Sequence, residues 1–384
     1  MRIAVFCHSL LSDWNHGNAH FLRGIASELL ARGHYITFYE QRHGWSLSNL
    51  MHDHGVAPLR EFRQRYPGLV SVLYDLDDLD LDAALYDTDV VLVHEWNEPE
   101  LVARIGKHRR SRRGMPEYDY RLLFHDTHHR CATAPEQMRE YDLSQYDGVL
   151  AFGDRIRDHY LREGLAREAW TWQEAADTRR FMPLSPDRIG EQMVWIGNWG
   201  DEERTSELRE FFIEPVTRSR ISAAAHGVRY PEEGIRSLER AGISYRGWVP
   251  NYSVPETYAR HALTVHVPRR PYLEALPEIP TIRPFEAMAC GIPLISALWD
   301  DPDGLFLPGS FLVARSGREM CGHIEDLMTD ESLRKELIEN GLASVMRRHT
   351  CAHRVDELWE ICAELGVEVR DMSDSITTRV SFGG

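Results

Sequence analysis

The chain has 384 residues, 43% of them hydrophobic, and a net charge of -16. That length can bury two cores of roughly 150–200 residues each, and the acidic balance argues against general nucleic-acid binding, which needs clustered positive charge. No window holds the roughly 18 apolar residues of a membrane span, and MRIAVFCHSLL leads straight into a strand pattern, so a cytoplasmic protein with at most peripheral membrane contact is expected.

In chain order, RIAVFC, a helix over 16–32 ending at Gly33, and HYITFYE make a βαβ opening. Apolar strands follow at 69–74, 89–94, 120–125 and 146–152 with helices between them, which predicts a parallel sheet covered on both faces. The acidic run DLDDLDLD (75–82) contains a D-x-D of the kind that can hold a divalent ion, but an acid-rich, solvated helix start explains it more simply. The basic run KHRRSRRG (107–114) reads as a solvated helix end rather than a contact for an anionic acceptor or membrane surface.

Over 177–192 the apolar pattern lapses into proline and charge, as in a linker. A second alternation then runs through MVWIG (193–197), a helix over 206–213, ISAAAHG, a helix over 231–241, SYRGWV, a helix near 255–261, LTVHV, the helix of EIPTIRPFEAMACG, PLIS and FLVA. From about 316 to 365 the period is helical, and the last residues, RDMSDSITTRVSFGG, are polar. The expected division is 1–178, 190–350, and a C-terminal piece over 351–384 made of a helix crossing back to the first domain and a polar tail. Six scattered cysteines without a CxxC pair read as small buried hydrophobes in a reducing compartment. The two lysines, Lys107 and Lys335, lie outside any G-x-x-x-x-G-K-[ST] setting, which excludes a Walker A loop.

In open parallel sheets, ligands bind beyond the carboxyl ends of the strands. After the first strand, Gly17 and Asn18 precede a helix and suit close approach of a phosphate to backbone N–H groups. After 193–197 comes GNWGDEERTS, with Gly197 and Asn198 leading to Arg204 as a counter-charge. The strand 120–125 runs into HDTHHR, whose His125, Asp126, His128 and His129 suit hydrogen-bonding or acid–base work better than metal ligation. In EIPTIRPFEAMACGIPLISA, Pro284 suits a helix's first turn and Gly291 its stop, which places Glu286 in that first turn and Glu278 in the loop before it. First-turn N–H groups can receive a diphosphate while the two carboxylates accept hydrogen bonds from sugar hydroxyls.

The joint pattern of Glu278, seven residues, Glu286 and AMACGIPLIS resembles the E-x7-E signature of retaining GT-B glycosyltransferases, especially family 4 and the spore-maturation-type enzymes. SELLARGHYITFYE, WTWQEAADTRRFMP and ISYRGWVPNYSVPETYARHALTVHVP are similar to further segments of that family, so the resemblance covers most of residues 1 to about 350. It implies an α/β protein of GT-B architecture, two facing Rossmann-like parallel-sheet domains with a cleft between them, one for acceptor and one for donor. It also implies a metal-independent, retaining hexosyltransferase-type enzyme with no cofactor beyond its nucleotide diphosphate sugar co-substrate. The acceptor class is left open among small molecule, glycan, lipid and protein. Glu286 would bind the ribose hydroxyls and Glu278 the donor sugar; backbone groups of Thr281, Ile282 and Arg283 would meet the diphosphate; Trp248 and Val249 would lie near the base. Arg204, Arg269, Arg270 and Arg283 are the candidates for neutralising the diphosphate, and His125 or His128 for aligning donor or acceptor. Two other activities fit the same fold: a nucleotide-sugar epimerase or hydrolase, and a catalytically silent nucleotide-sugar-binding partner protein. The chain departs from the family at the phosphate turn, where IPTIR stands in place of glycines.

Overall fold

A computed structural model describes residues 1–185 and 190–367. Two compact units emerge. The first comprises Met1–Ser12, Leu22–Gln173 and the chain from Cys351; the second comprises Asp13–Phe21 and Glu174–Thr350.

The first unit is built on seven parallel strands: β1 (Arg2–Phe6), β2 (Tyr35–Gln41), β3 (Val70–Tyr74), β4 (Val90–His94), β5 (Arg121–Asp126), β6 (Gly148–Ala151) and β7 (Ala169–Thr171). Their spatial order is β3-β2-β1-β4-β5-β6-β7. The direction of winding reverses between β1 and β4, and the polypeptide there leaves a crevice at the carboxyl ends of the strands. The central strand β4 reads VVLVH and is buried at every position, as a strand covered on both faces must be. Helix Ala19–Ala31 begins three residues later than the sequence pattern implies, because His16 closes a turn on Asp13 O (3.1 Å) rather than entering the helix. Strand β7, only three residues long, carries too little pattern to be read from sequence.

The second unit has six parallel strands: β8 (Met193–Ile196), β9 (Ala223–His226), β10 (Ser244–Tyr245), β11 (Leu263–His266), β12 (Leu294–Ala297) and β13 (Leu312–Ala314). They are ordered β10-β9-β8-β11-β12-β13, with the reversal between β8 and β11. The helix expected over 206–213 starts at Thr205 and runs to Ser219 through a π turn at Arg209–Ile213. Helix Ile282–Cys290 buries every side chain except that of Arg283. It packs against helix Glu331–Arg348, where a Cβ on Gly341 would lie 3.0 Å from Met288 Cγ, so glycine serves the close approach of the two helices. Gly291 stops it in the left-handed conformation (φ 67°), its N–H bonded to Ala287 O and Met288 O. Glu286 is the fifth residue of this helix and therefore belongs to its second turn, a correction to the first-turn position: Ile282 rather than Pro284 opens the helix.

The helical region after 316 resolves into Gly317–Thr329, Glu331–Arg348 and Cys351–Glu364, the last belonging to the first unit. Part of the expected linker and the whole polar tail lie outside the described residues. Among the described residues no helix is long and apolar enough to cross a membrane.

The two charge runs have local partners. Asp75 pairs with Arg42 (3.0 Å), Asp80 caps helix Leu81–Leu85, and Asp82 binds His108 and Arg112. Arg109, in the last turn of helix Pro99–Ser111, pairs with Asp147 (2.6 Å).

Candidate functional site

In the second unit, the loop after β8 is forced into an unusual shape by three consecutive left-handed residues, Gly200 (φ 89°), Asp201 (φ 47°) and Glu202 (φ 70°). The loop brings Arg204 back over Trp195, whose ring centroid lies 5.5 Å from its guanidinium carbon. Arg204 donates to Val267 O (2.8 Å) and Asn198 O (2.6 Å). Among the described residues no carboxylate pairs with it, and its Nε is buried without a partner. Burial, followed by the Arg269 and Arg283 charges, pushes the Arg204 pKa down to about 9. Burial, followed by the Arg204 and Arg283 charges, pushes the His266 pKa down to about 3. Arg204, Arg269 and Arg283 therefore form one cationic cluster beside a neutral His266, near the carboxyl ends of β8 and β11. Arg269 is tied to Glu203 (3.2 Å), and Arg270 to Glu207 (2.9 Å) and Glu202 O (2.6 Å), so of the candidate arginines Arg204 is the one held by carbonyl oxygens alone.

Thr281, the residue before helix Ile282–Cys290, has φ 59° and ψ -179°, a conformation ordinarily reserved for glycine. The backbone thus adopts a glycine turn even though the sequence supplies none. Its hydroxyl approaches His266 Nε2 at 3.5 Å.

Glu286 is 0% exposed. Its Oε1 accepts from Asn251 Nδ2 (2.7 Å) and lies 3.2 Å from His20 Nδ1, and its Oε2 accepts from Arg283. Burial opposes the carboxylate charge, but Arg283 and then His20 outweigh it and hold the pKa below the ordinary glutamate value. For Arg283, burial likewise opposes the charge and Glu286 more than restores it. His20 Nε2 accepts from the Asp177 backbone N–H (2.7 Å), so the ring proton sits on Nδ1, facing Glu286. Glu278 is also buried, in the loop before Thr281.

The segment Asp13–Phe21 is the feature that the sequence pattern flagged only at Gly17 and Asn18. Asp13 accepts from Trp248 Nε1 (3.0 Å) and the Asn251 backbone N–H (2.9 Å). Asn15 accepts from Asn198 Nδ2 (2.5 Å), while Asn198 Oδ1 accepts from the Val228 N–H (3.0 Å). A Cβ on Gly17 would lie 2.7 Å from Ile282 Cγ2, so glycine serves the approach of this segment to the helix start. A Cβ on Gly197 would crowd Trp195; the Gly197 N–H donates to His226 O (2.9 Å) and its carbonyl accepts from Tyr230 OH (2.9 Å), and Val249 packs on the core beneath the helix. Thus Asn198, Trp248, Ile282 and Glu286 all meet this one segment. Asp13, Asn15, His20 and Asn251 were missed because their partners are distant in sequence.

The first unit has its own polar cluster at the reversal point. His94 ends β4, and its Nδ1 lies 2.7 Å from Glu95 Oε2; Thr127 Oγ1 donates to Glu95 Oε1 (2.8 Å). Burial works against the Glu95 charge, and His94 and Arg130 more than offset it, so its pKa falls. Asp126 accepts from Tyr160 OH (2.7 Å) and the His128 N–H (2.9 Å), and burial followed by the Glu95 charge raises its pKa. The two predicted histidines differ in surroundings. His125 faces inward beside Trp172, in a space lined by Val5, Leu22, Phe38 and Leu92, and burial followed by His94 pushes it down to about 3. His128 is half-buried and packs on Trp96 and His129.

Two parallel α/β domains with these sites at the carboxyl ends of their strands define the GT-B fold, and comparison with known proteins agrees. Residues 204–360 match the family model described as "Glycosyl transferase-like". No curated protein matches the chain in sequence. Among solved structures, the chain is similar to a glycosyltransferase from Rickettsia africae (TM-score 0.61, 11% identity, 96% of this chain and 99% of that one). It is similar also to T4 phage BGT in complex with UDP and Mn2+ (0.59, 12%, 94% and 99%). A third is sucrose-phosphate synthase from Thermosynechococcus elongatus (0.58, 13%, 95% and 99%).

Proposed function

We propose that the chain is a retaining, metal-independent glycosyltransferase that moves a sugar from a nucleoside diphosphate sugar to an acceptor hydroxyl. The observation that carries this reading is Arg204: a guanidinium held only by carbonyl oxygens, in the field of Arg269 and Arg283, lacks the negative charge that a diphosphate would bring. The match of residues 204–360 to a glycosyl transferase-like family supports the same assignment for the unit that holds Arg204.

In this mechanism the diphosphate lies against Arg204 and the start of helix Ile282–Cys290, where fixed charges and N–H groups stabilise the negative charge that develops on it as the glycosidic bond breaks. Backbone groups of Thr281, Ile282 and Arg283 meet the phosphates, Trp248 and Val249 the base, and Glu278 orients the sugar. The acceptor attacks from the face the diphosphate leaves, its proton passing to a phosphate oxygen, with His128 aligning the reactants.

The test is a thermal-shift panel of UDP, GDP, ADP and TDP sugars on the wild type and Arg204→Met. One of them should raise the wild-type melting point, since a ligand at 100 times its Kd adds about 2.7 kcal/mol, and the shift should vanish in Arg204→Met. An unchanged shift in the variant contradicts the assignment of Arg204. T4 phage BGT was solved with Mn2+ as well as UDP; turnover unaffected by EDTA is the result expected here, and its loss would overturn the metal-free step. A second reading, a nucleotide-sugar binder without turnover, draws on Glu286, whose oxygens are already occupied by Arg283, Asn251 and His20. Tight binding with no donor consumption would select it.

A further inference from the structure

The first unit holds a buried cation that its own fold leaves without a close partner. Arg130, just after β5, is 8% exposed. Among the described residues its guanidinium makes neither an ion pair nor a hydrogen bond, and Nη1 is fully buried. The carboxylates in its field are engaged elsewhere: Glu95 with His94 and Thr127, Asp126 with Tyr160 and the His128 N–H. A buried guanidinium with five N–H donors is costly unless something accepts from it, and its planar fork matches the two oxygens of a carboxylate or phosphate.

What covers Arg130 is aromatic and reaches solvent. Its guanidinium carbon lies 4.6 Å from the Trp96 ring centroid, and Trp96, on the loop after β4, is 41% exposed. The rings of His128 and His8 pack on the same indole at 5.0 and 5.5 Å. An indole flanked by imidazoles offers a flat apolar surface with polar groups at its edge, the chemistry that receives a ring bearing hydroxyls.

We infer that Arg130, Trp96 and His128 form an acceptor subsite for an acidic sugar, with Arg130 taking the phosphate or carboxylate group and Trp96 carrying the ring. The word acceptor rests on the transferase reading; the anion site does not, and it is measured separately.

The experiment titrates inorganic phosphate and, in parallel, acetate at constant ionic strength, reading the Trp96 contribution to fluorescence as the difference between wild type and Trp96→Phe. A saturable change in that difference is expected, weakened at least tenfold in Arg130→Gln and by less in Arg130→Lys, which keeps the charge and loses the fork. Stronger response to phosphate identifies a phosphorylated acceptor, and stronger response to acetate a carboxylated one. If Arg130→Gln does not fold, Arg130→Lys carries the comparison. No response to either anion, or an equal response in the folded Arg130 variant, overturns the proposal. UDP affinity, measured by calorimetry on the same samples, should be equal in wild type and variants. Its absence from all of them would count against the transferase reading while leaving the anion result standing.

Discussion

Thr281 holds φ 59° with a β-branched side chain in a turn where glycine carries no steric penalty. Such a position stores about 1–3 kcal/mol of strain. Thr281→Gly should therefore raise the urea midpoint, by a net of about 1 kcal/mol once glycine's extra chain entropy is subtracted. Thr281→Ala, which keeps a Cβ, should not. A rise in both variants, or in neither, would show that the turn is unstrained. Glu286 poses the opposite case. Removing it leaves Arg283, 25% exposed in its side chain, without its partner and strands the Asn251 amide. Breaking a buried pair costs about 3–5 kcal/mol, so Glu286→Ala should lose on that order of stability, measured by denaturant unfolding. A loss below about 1 kcal/mol would mean that the network is not structural. Any activity lost by that variant must therefore be read beside its stability.

Among the elements, the segment Asp13–Phe21 and helix Ile282–Cys290 depend on one another. Asp13 alone takes two hydrogen bonds, from Trp248 and the Asn251 N–H, each worth about 1.5–3 kcal/mol when the acceptor is charged. Asp13→Ala should speed amide exchange in residues 13–21 and 248–251 while leaving β1 and β4 protected. Uniform exchange changes across the chain would contradict so local a role. This element also marks where sequence reading stops. The strands β1, β4, β5, β8 and β11 were legible because apolar runs of four to six residues bounded by turn residues have few other uses. The helix stop at Gly291 was legible for the same kind of local reason. The partners of Asp13, Asn15 and His20 were not, since side-chain pairing across more than a hundred residues leaves no period in the sequence. Even the glycine turn at Thr281 was hidden, because the backbone kept the conformation and the sequence did not keep the residue.

For the molecule as a whole, buried histidines set its behaviour in acid. His125 titrates at about 3 in the folded chain, through burial and then the neighbouring His94, against about 6.5 when unfolded. Between those values the unfolded chain binds a proton that the fold refuses, so stability rises with pH across the interval and is lost as pH falls below about 6.5. At pH 4.5 the loss is about 2–3 kcal/mol for this residue. His266, pushed to about 3 by burial, Arg204 and Arg283, adds a second loss of the same sign. The drop in denaturant midpoint from pH 7 to pH 4.5 should be smaller in His125→Phe than in the wild type, and an equal drop would contradict this source of acid sensitivity. One measurement tests the transfer chemistry directly. Proton NMR of the protein incubated with each nucleoside diphosphate sugar and a panel of phosphorylated and carboxylated sugar acceptors follows both the nucleotide and the anomeric signal. The account predicts release of nucleoside diphosphate from one donor and a product with the donor's anomeric configuration; release from none of them, or a product of inverted configuration, would contradict it.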